Sequence, residues 1–477
     1  MKVAVKSVEL GKVAADVLVI GLTEGAELPG GVRGAAGADA ARGGFKKLAL
    51  LRPDGFPPVL VVGLGKGEEV DAEKLRVAAA IAAKEAGRLE ATSIAWALPE
   101  TADPTAAAEA IVTGTILAAY RFDRFKSGDG DGSPRLGSLT VLGDGESLSE
   151  AATEARVAAE AQNRARDLQG TPANFATPAF LAQRAGEIAA GYDAISVEVL
   201  GRAELEEKGM GGLVAVGQGS DEEPKLIVLR YAGGGPGPSV AFVGKGVTFD
   251  TGGISLKPGA GMHEMKMDMS GGAAVLEAVG AIAELGLPLD LLAVVPSTEN
   301  MPSGTAIKPG DVITQYSGKT VEVNNTDAEG RLILADALAY AVEQGAGRIV
   351  DLATLTGAVE VALGSTYAGL ISNDDELAAE VARAGEETGE LVWRLPLHPE
   401  YKELMQGTVA DLSNLAKKRK AGTITAASFL EEFVGETPWA HLDIAGTAWD
   451  VGREYVGGDA SGFGVRLLVN FARHFSA

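Results

Sequence analysis

Two segments of the chain place charged side chains where they could act together. The run SVAFVGKGVTFDTGGISLKP carries Lys245, Asp250 and Lys257 among glycines, directly after an apolar stretch. The run MHEMKMDMSGGAAV places Asp268 just ahead of a predicted helix. Residues at the carboxyl ends of strands are the ones that meet ligands in an open α/β sheet. We therefore take both segments as candidate parts of one site.

A third segment, VEVNNTDAEGRLILADAL, sets Asp327, Glu329 and Arg331 at alternate positions. In an extended chain, alternate residues point the same way. Neighbouring carboxylates repel each other, and a nearby cation allows both to stay ionised. The competing interpretation is a helix start in which Asp327 is the cap, Glu329 lies in the first turn and Arg331 is solvated. Capping and metal binding are compatible, so both interpretations stay open.

The four carboxylates of these segments could neutralise two divalent ions, which is the requirement of a dinuclear site. The chain has no Cys and only four His, without an HExxH pair. Any catalytic metal must therefore be held mainly by carboxylates, which suits hard or borderline ions such as Mg, Mn or Zn.

The lysines have simpler interpretations too. Lys245 and Lys257 could be surface residues beside glycine turns, the usual position of lysine, and Arg331 could be a structural partner of the acidic residues. A phosphate-binding loop is disfavoured because GxxxxGK[ST] is absent and GLGKG at 63–67 does not fit GxGxxG.

The elements that would position these residues are α/β in pattern. In the first third, apolar runs alternate with Ala-rich helical stretches, which predicts a smaller N-terminal α/β domain over 1–148. The apolar runs are 17–22, 59–64 and 139–142, and the helical stretches are 72–86 and 106–119. The Gly- and Asp-rich stretch 126–134 is predicted to be an exposed loop, and it fits a calcium-binding loop poorly.

A strongly helical stretch at 149–168, with Ser149 as a possible N-cap and Gly170 as its end, predicts a linker helix over 149–170. The remainder, 171–477, is predicted to be a larger catalytic domain with a largely parallel central sheet flanked by helices. Its strand candidates are 195–200, 226–231, 240–243, 291–295 and 349–352, and its helix candidates are 272–284 and 332–343.

The composition and net charge of the chain exclude several classes of function. A chain of 477 residues, 46% hydrophobic and 22% charged, should form folded domains. The net charge of -23 makes nucleic acid and anionic lipid poor partners. The first residues lack the pattern of a signal peptide, and no apolar run is long enough to span a membrane. A cytoplasmic location is expected.

The motifs VGKGVTFDTGGISLKP, MKMDM, ENMPSG and NTDAEGRL, in this order, resemble those of the leucine aminopeptidase (cytosol aminopeptidase) family. The resemblance extends from TPAN at 171 to the end, and the preceding residues are only loosely similar. It implies a metal-dependent aminopeptidase that releases N-terminal residues from peptides, preferably Leu and other apolar residues, by attack of a metal-bridging hydroxide. It also implies a homohexamer.

The resemblance assigns the metal ligands. These are Lys245, Asp250, Asp268, Asp327 and Glu329. Asp250 and Glu329 would be shared by both ions; Lys245 and Asp268 would complete the tighter site and Asp327 the more exchangeable one. Lys245 would bind as a neutral amine, which nearby cations and burial favour. Two Mn or Zn ions per subunit are expected, with Mg or Co as alternatives.

The resemblance also implies the catalytic pair. Lys257 would donate to the carbonyl oxygen of the substrate, and Arg331 would hold a bicarbonate that relays a proton, because arginine cannot itself act as a base. Thr251 stands where the family usually has Ser and keeps the hydroxyl. An apolar side-chain pocket is implied for Met265, Thr354, Gly357 and Ala445, with Ala448 beside them. Core packing explains Met265 and the alanines equally well.

Two other functions stay open at this point. A dinuclear site could hydrolyse phosphate esters, although the few His and the two lysines of the motif make that a weaker fit. The N-terminal domain could instead bind a nucleotide-like ligand or DNA, and the charge of -23 counts against DNA.

Overall fold

The structure, a computed structural model, describes residues 1–100, 103–127, 135–234, 239–418 and 420–476. The chain divides into two compact units: 1–163 together with 452–457, and 164–451 together with 458–477. Positions 128–134 of the predicted loop lie outside the described residues. Within the described residues, no helix is long and apolar enough to cross a membrane.

The smaller unit is an α/β sheet with helices, as the alternation of its sequence predicts. Its strands are β1 (Lys2–Lys6), β2 (Val17–Thr23), β3 (Leu48–Leu51), β4 (Val59–Gly65), β5 (Ser93–Ala97) and β6 (Ser138–Leu142). Its helices are α1 (Gly30–Arg33), α2 (Ala72–Arg88) and α3 (Pro104–Ala118). The strands pair in the order β1-β6-β5-β2-β4-β3, and only the pair β4-β3 is antiparallel among the described strands.

Side-chain caps mark where the two long helices of this unit begin. Asp71 accepts from the backbone N–H of Lys74 at the start of α2, and Asp103 accepts from the N–H groups of Thr105 and Ala106 at the start of α3. Such caps satisfy amides that the helix itself leaves unpaired.

Helix α4 (Glu146–Gly170) contains the predicted linker helix and ends at the predicted residue. The expectation that Ser149 caps it is wrong, because the helix begins three residues earlier. The backbone N–H of Ser149 already donates to the carbonyl of Gly145, as does its hydroxyl at 3.2 Å. Ser149 is thus inside the first turn.

The larger unit carries the remaining elements. Its strands are β7 (Ile195–Leu200), β8 (Lys225–Ala232), β9 (Val240–Gly244), β10 (Gly246–Asp250), β11 (Asp290–Asn300), β12 (Val312–Thr314), β13 (Thr320–Glu322), β14 (Arg348–Ala353), β15 (Ala368–Ser372), β16 (Val392–Arg394), β17 (Leu412–Ser413) and β18 (Trp439–Asp443). Its helices are α5 (Pro178–Gly191), α6 (Arg202–Lys208), α7 (Gly211–Gly217), α8 (Ser270–Leu285), α9 (Glu329–Glu343), α10 (Gly357–Leu363), α11 (Asp375–Thr388), α12 (Pro399–Glu403), α13 (Gly422–Glu431) and α14 (Val465–Ser476).

The main sheet of this unit is mixed, with a parallel centre. Its described strands follow the order β16-β15-β18-β14-β9-β11-β8-β7, and β10 also pairs with β11. The neighbours β18, β14, β9 and β11 are parallel. Strand β15 is antiparallel to β18 and parallel to β16, β8 is antiparallel to β11, and β7 is antiparallel to β8. Strand β9 is buried along its whole length, which requires helices on both faces. The predicted fold class is confirmed, and the antiparallel edges refine it.

Helix α8 begins very close to the centre of the sheet. A Cβ atom built on Gly271 would lie 1.9 Å from the carbonyl oxygen of Leu352 in β14 and 3.0 Å from the backbone nitrogen of Lys245. Both neighbours are backbone atoms, so they cannot rotate away. Only glycine allows this approach, which fixes the start of α8 against β14 and the end of β9.

We predict that Gly271→Ala lowers the free energy of unfolding by about 1–3 kcal/mol, because the helix must move off the sheet. Gly280→Ala in the same helix is the control, since its Cβ would meet Ile188 at an ordinary 3.6 Å. Alanine there should be neutral or slightly stabilising. Urea unfolding of the two variants checks this, and equal midpoints would contradict it.

Candidate metal centre

Lys245 lies where strand β9 passes into β10, and its side chain is only 3% exposed. Its Nζ lies 2.7 Å from Asp268 Oδ2 and 2.8 Å from Glu329 Oε1, and it donates to the carbonyl oxygen of Thr354 at 2.9 Å. A buried ammonium at this position is not a surface lysine. That simpler interpretation of Lys245 is wrong.

Asp250 ends strand β10 and is buried. Its Oδ2 lies 2.9 Å from the Nζ of Lys257, which also lies 2.5 Å from Asp327 Oδ1. The side chain of Lys257 is 24% exposed. Lys257 therefore bridges two carboxylates at the edge of the cluster and keeps access to solvent.

A glycine turn brings Lys257 back to the strand end that precedes it. Gly252 has φ of 85°, and a Cβ there would lie 2.6 Å from the carbonyl oxygen of Ser255 and 2.9 Å from Asp327 Oδ1. The backbone N–H of Lys257 closes the turn on the carbonyl of Thr251 at 2.9 Å. The sequence TGG of the motif is therefore needed for the backbone conformation of this loop.

Helix α9 begins with Glu329, which is buried and points its carboxylate into the cluster. The N-cap position is Ala328, which makes no side-chain cap hydrogen bond. The carboxylate of Asp327 instead reaches Lys257. The interpretation of Asp327 as a helix cap is therefore wrong.

The charges of the cluster shift one another's protonation. Burial, with the charge of Glu329 next in size, raises the pKa of Asp250 to about 6. Burial likewise raises the pKa of Asp268 to about 8. Burial opposes the ionised form of Glu329 too, but Lys245 and Lys257 outweigh it and lower the pKa of Glu329. The carboxylates thus depend on nearby positive charge to remain ionised.

The donor set fits divalent cations. Asp250, Asp327 and Glu329 each offer a carboxylate oxygen, and these oxygens lie within 4.8 Å of one another. Glu329 Oε2 is buried and has no hydrogen-bond partner among the described residues. Leaving a buried carboxylate oxygen unpaired is costly, and a metal ion would satisfy it. The structure thus brings the five residues predicted as ligands to one place.

Two polar residues of this region were not predicted from the sequence. Asn300, at the end of β11, donates to Asp250 Oδ1 at 2.8 Å and to the carbonyl of Thr326 at 3.0 Å. Asn414 accepts from the backbone N–H groups of Asn324 and Asn325. The position of Asn300 at a strand end, within ENMPSG, was the available signal.

Arg331 lies apart from the carboxylate contacts. It is 7% exposed, its Nη1 donates to the carbonyl oxygen of Asn414 at 2.8 Å, and its Nε has no hydrogen-bond partner among the described residues. Burial lowers the pKa of Arg331 to about 10, so it stays protonated at neutral pH. The expectation of a solvated Arg331 is wrong.

The residues predicted for a side-chain pocket occupy different surroundings. The hydroxyl of Thr354 donates to Asp268 Oδ1 at 2.7 Å, which places Thr354 against the cluster. Gly357 is exposed at the start of α10, Met265 is half-buried, and Ala445 is buried just after β18. Their role in binding a substrate side chain stays a prediction.

Comparison with known proteins gives one family. Residues 163–469 match the catalytic domain of the cytosol aminopeptidase family, and residues 35–129 match its N-terminal domain. A probable cytosol aminopeptidase of Roseiflexus castenholzii is 45% identical, with 100% of each chain covered. One of Chlorobaculum tepidum is also 45% identical over 100% of both chains.

Solved structures agree with this result. The bottromycin maturation enzyme BotP, in complex with Mn, has a TM-score of 0.87 and 38% identity, covering 97% of this chain and 100% of its own. A point mutant of tomato leucine aminopeptidase has a TM-score of 0.88 and 35% identity, covering 99% of this chain and 96% of its own.

We predict that Glu329→Gln lowers the number of divalent ions retained per chain, because an amide cannot supply the negative charge that the buried site needs. Glu343→Gln, at the other end of α9, is the matched control and should retain the full complement. Elemental analysis after loading with Mn²⁺ and dialysis measures both. Equal metal content in the two variants would contradict the placement of the site.

Proposed function

The chain belongs to the cytosol aminopeptidase family, whose members are metal-dependent aminopeptidases, and on that premise we propose that the cluster around Lys245 and Lys257 is its catalytic centre. The proposed metal ligands are Lys245, Asp250, Asp268, Asp327 and Glu329. The observation that carries this proposal is the convergence of the carboxylates of Asp250, Asp327 and Glu329, with Glu329 Oε2 lacking a hydrogen-bond partner among the described residues. The substrates are peptides, from which N-terminal residues are released.

The ions proposed are two Mn or Zn ions per subunit, with Mg or Co as alternatives, since carboxylate oxygen ligands suit all of these. The Mn complex of the related BotP supports a divalent metal. When bound, the ions would lower the pKa of a water molecule and polarise the scissile carbonyl.

Lys245 is proposed to act as a neutral ligand when the ions are present. Without them, burial disfavours its ammonium form, but Asp268 and Glu329 outweigh burial and raise its pKa. Two divalent cations would replace that stabilisation and oppose protonation. Metal loading would therefore release the proton of Lys245.

Lys257 is proposed to stabilise the charge that develops on the carbonyl oxygen of the substrate. Burial opposes its ammonium, but Asp250 and Glu329 outweigh burial and raise its pKa, so it remains a cation. Its partial exposure leaves its donors accessible. A fixed ammonium beside a developing oxyanion stabilises the transition state more than the ground state.

Arg331 is proposed to hold an anion, such as bicarbonate, that transfers the proton to the leaving amine. Its guanidinium is buried and its Nε has no partner within the part of the chain that the structure describes, which supports an anion-binding role. Arginine cannot accept the proton itself at neutral pH.

The preference for Leu and other apolar N-terminal residues is proposed from Met265, Thr354, Gly357 and Ala445, which carry no charge. A cytoplasmic location and a homohexameric state are also proposed, both from the family resemblance.

The hydroxyl of Thr251, at the position where the family usually has Ser, donates to the carbonyl of Asn300 at 2.8 Å, so this difference from the family leaves the loop intact.

We expect hydrolysis of leucine amide to stop after exhaustive chelation and to return when Mn²⁺ or Zn²⁺ is added back, because the chain's own residues supply no nucleophile in this proposal. Release of leucine measures it. Undiminished turnover by metal-free protein would rule out the proposal.

We also expect Lys257→Ala to lower kcat by about 10²–10³-fold while the metal content stays unchanged, since the loss is of an oxyanion donor and no ligand is removed. Lys308→Ala, a surface lysine paired with Asp311, is the control and should keep normal turnover. Measuring kcat and metal content on the same preparations separates the two effects. A rate near that of the control would remove Lys257 from the reaction.

A further inference from the structure

A cavity of about 380 Å³ opens beside Arg331, and its described lining carries cations but no carboxylate. The cations are Arg331, Lys418 and Lys420. Neither Lys418 nor Lys420 forms an ion pair with any described residue, and both are exposed. Arg331 is 7% exposed and its Nε is unpaired within the described chain. The cavity therefore offers two ammonium groups, unpaired among the described residues, beside the guanidinium of Arg331, which is proposed above to hold the catalytic anion.

The size and the apolar part of the lining point to more than a small inorganic ion. A water molecule occupies about 30 Å³ in the liquid, so the cavity has room for an amino-acid residue. Ala358, Leu415 and Ala416 line it together with the cations. Apolar walls suit the methylene groups of an acidic side chain, and the cations suit its carboxylate.

The position of the cavity indicates which part of a substrate enters it. Asn325 lines the cavity, and its Oδ1 accepts from the backbone N–H of Asp327 at 3.0 Å, which places the cavity next to the proposed metal centre. None of the residues proposed for the N-terminal side chain of the substrate lines it. We therefore consider the part of the peptide that follows the scissile bond as the part that enters the cavity.

We propose that this cavity binds a carboxylate of the substrate on the leaving-group side, so that the enzyme favours peptides with Asp or Glu directly after the N-terminal residue. The proposal rests on the proposed function, because it requires the scissile bond to lie at the cluster. The net charge of -23 repels anionic peptides from most of the surface, and a local group of cations offsets that repulsion at the site of entry.

The test compares Leu-Asp-amide with Leu-Asn-amide, two peptides of nearly equal shape that differ in one charge. The expected result is a roughly five- to tenfold higher kcat/KM for Leu-Asp-amide, as two solvent-screened charge pairs would give. The ratio should fall as NaCl is raised, because salt screens exposed charges.

The double variant Lys418→Gln/Lys420→Gln should bring the ratio close to one. Lys417→Gln is the matched control: Lys417 is an exposed neighbour outside the cavity lining, and its removal should leave the ratio unchanged. If Lys417→Gln and the double variant lower the ratio equally, the preference comes from the general electrostatic field of the protein, and the proposal is overturned.

Two further outcomes are informative. If both peptides are cleaved equally, and carbonate or phosphate at constant ionic strength accelerates both alike, the cavity holds a free anion and the substrate assignment is overturned. Equal cleavage without that acceleration also overturns it. Hydrolysis of neither peptide would overturn the proposed function and this inference with it.

Discussion

Four carboxyl groups converge beside two lysines in the larger unit, and the need to compensate their charge governs this part of the structure. Asp250, Asp268 and Glu329 are nearly excluded from water, so their mutual repulsion is weakly screened. In the structure, the ammonium groups of Lys245 and Lys257 supply the compensation. Divalent ions at the same place would supply more positive charge and would satisfy the oxygen of Glu329 that remains unpaired among the described residues.

The fold meets this requirement through the carboxyl ends of parallel strands. Strand β10 ends in Asp250 and β11 ends in Asn300, which orients Asp250, while helix α9 brings Glu329 from the next segment. Close backbone approaches fix the spacing, because a side chain at Gly271 or Gly252 would collide with backbone atoms or with the carboxylate of Asp327. The glycines of these motifs are therefore as necessary to the site as its charged residues.

Much of this arrangement follows from local sequence. Apolar runs predicted strands β2, β4, β6, β7, β8, β9, β11 and β14, and short-range spacing selected the charged residues that the fold brings together. Strand β18 was not predicted, because its sequence WAHLD is not an apolar run. The strand is nevertheless buried, and its polar His441 is paired with Asp351 of the neighbouring strand at 2.6 Å. The contact between Asn414 and Arg331 likewise joins residues 83 positions apart. Such pairings depend on tertiary structure, which local periodicity does not encode.

The central claim is that the carboxylates surrounding Lys245 and Lys257 hold a pair of metal ions. Anomalous diffraction from crystals loaded with Mn²⁺ in the presence of an amino-acid-like inhibitor tests it most directly. The account predicts two peaks about 3.5–4 Å apart, both next to Asp250 and Glu329, with Lys245 Nζ in contact with one of them. A single peak, or peaks away from these two carboxylates, would contradict it.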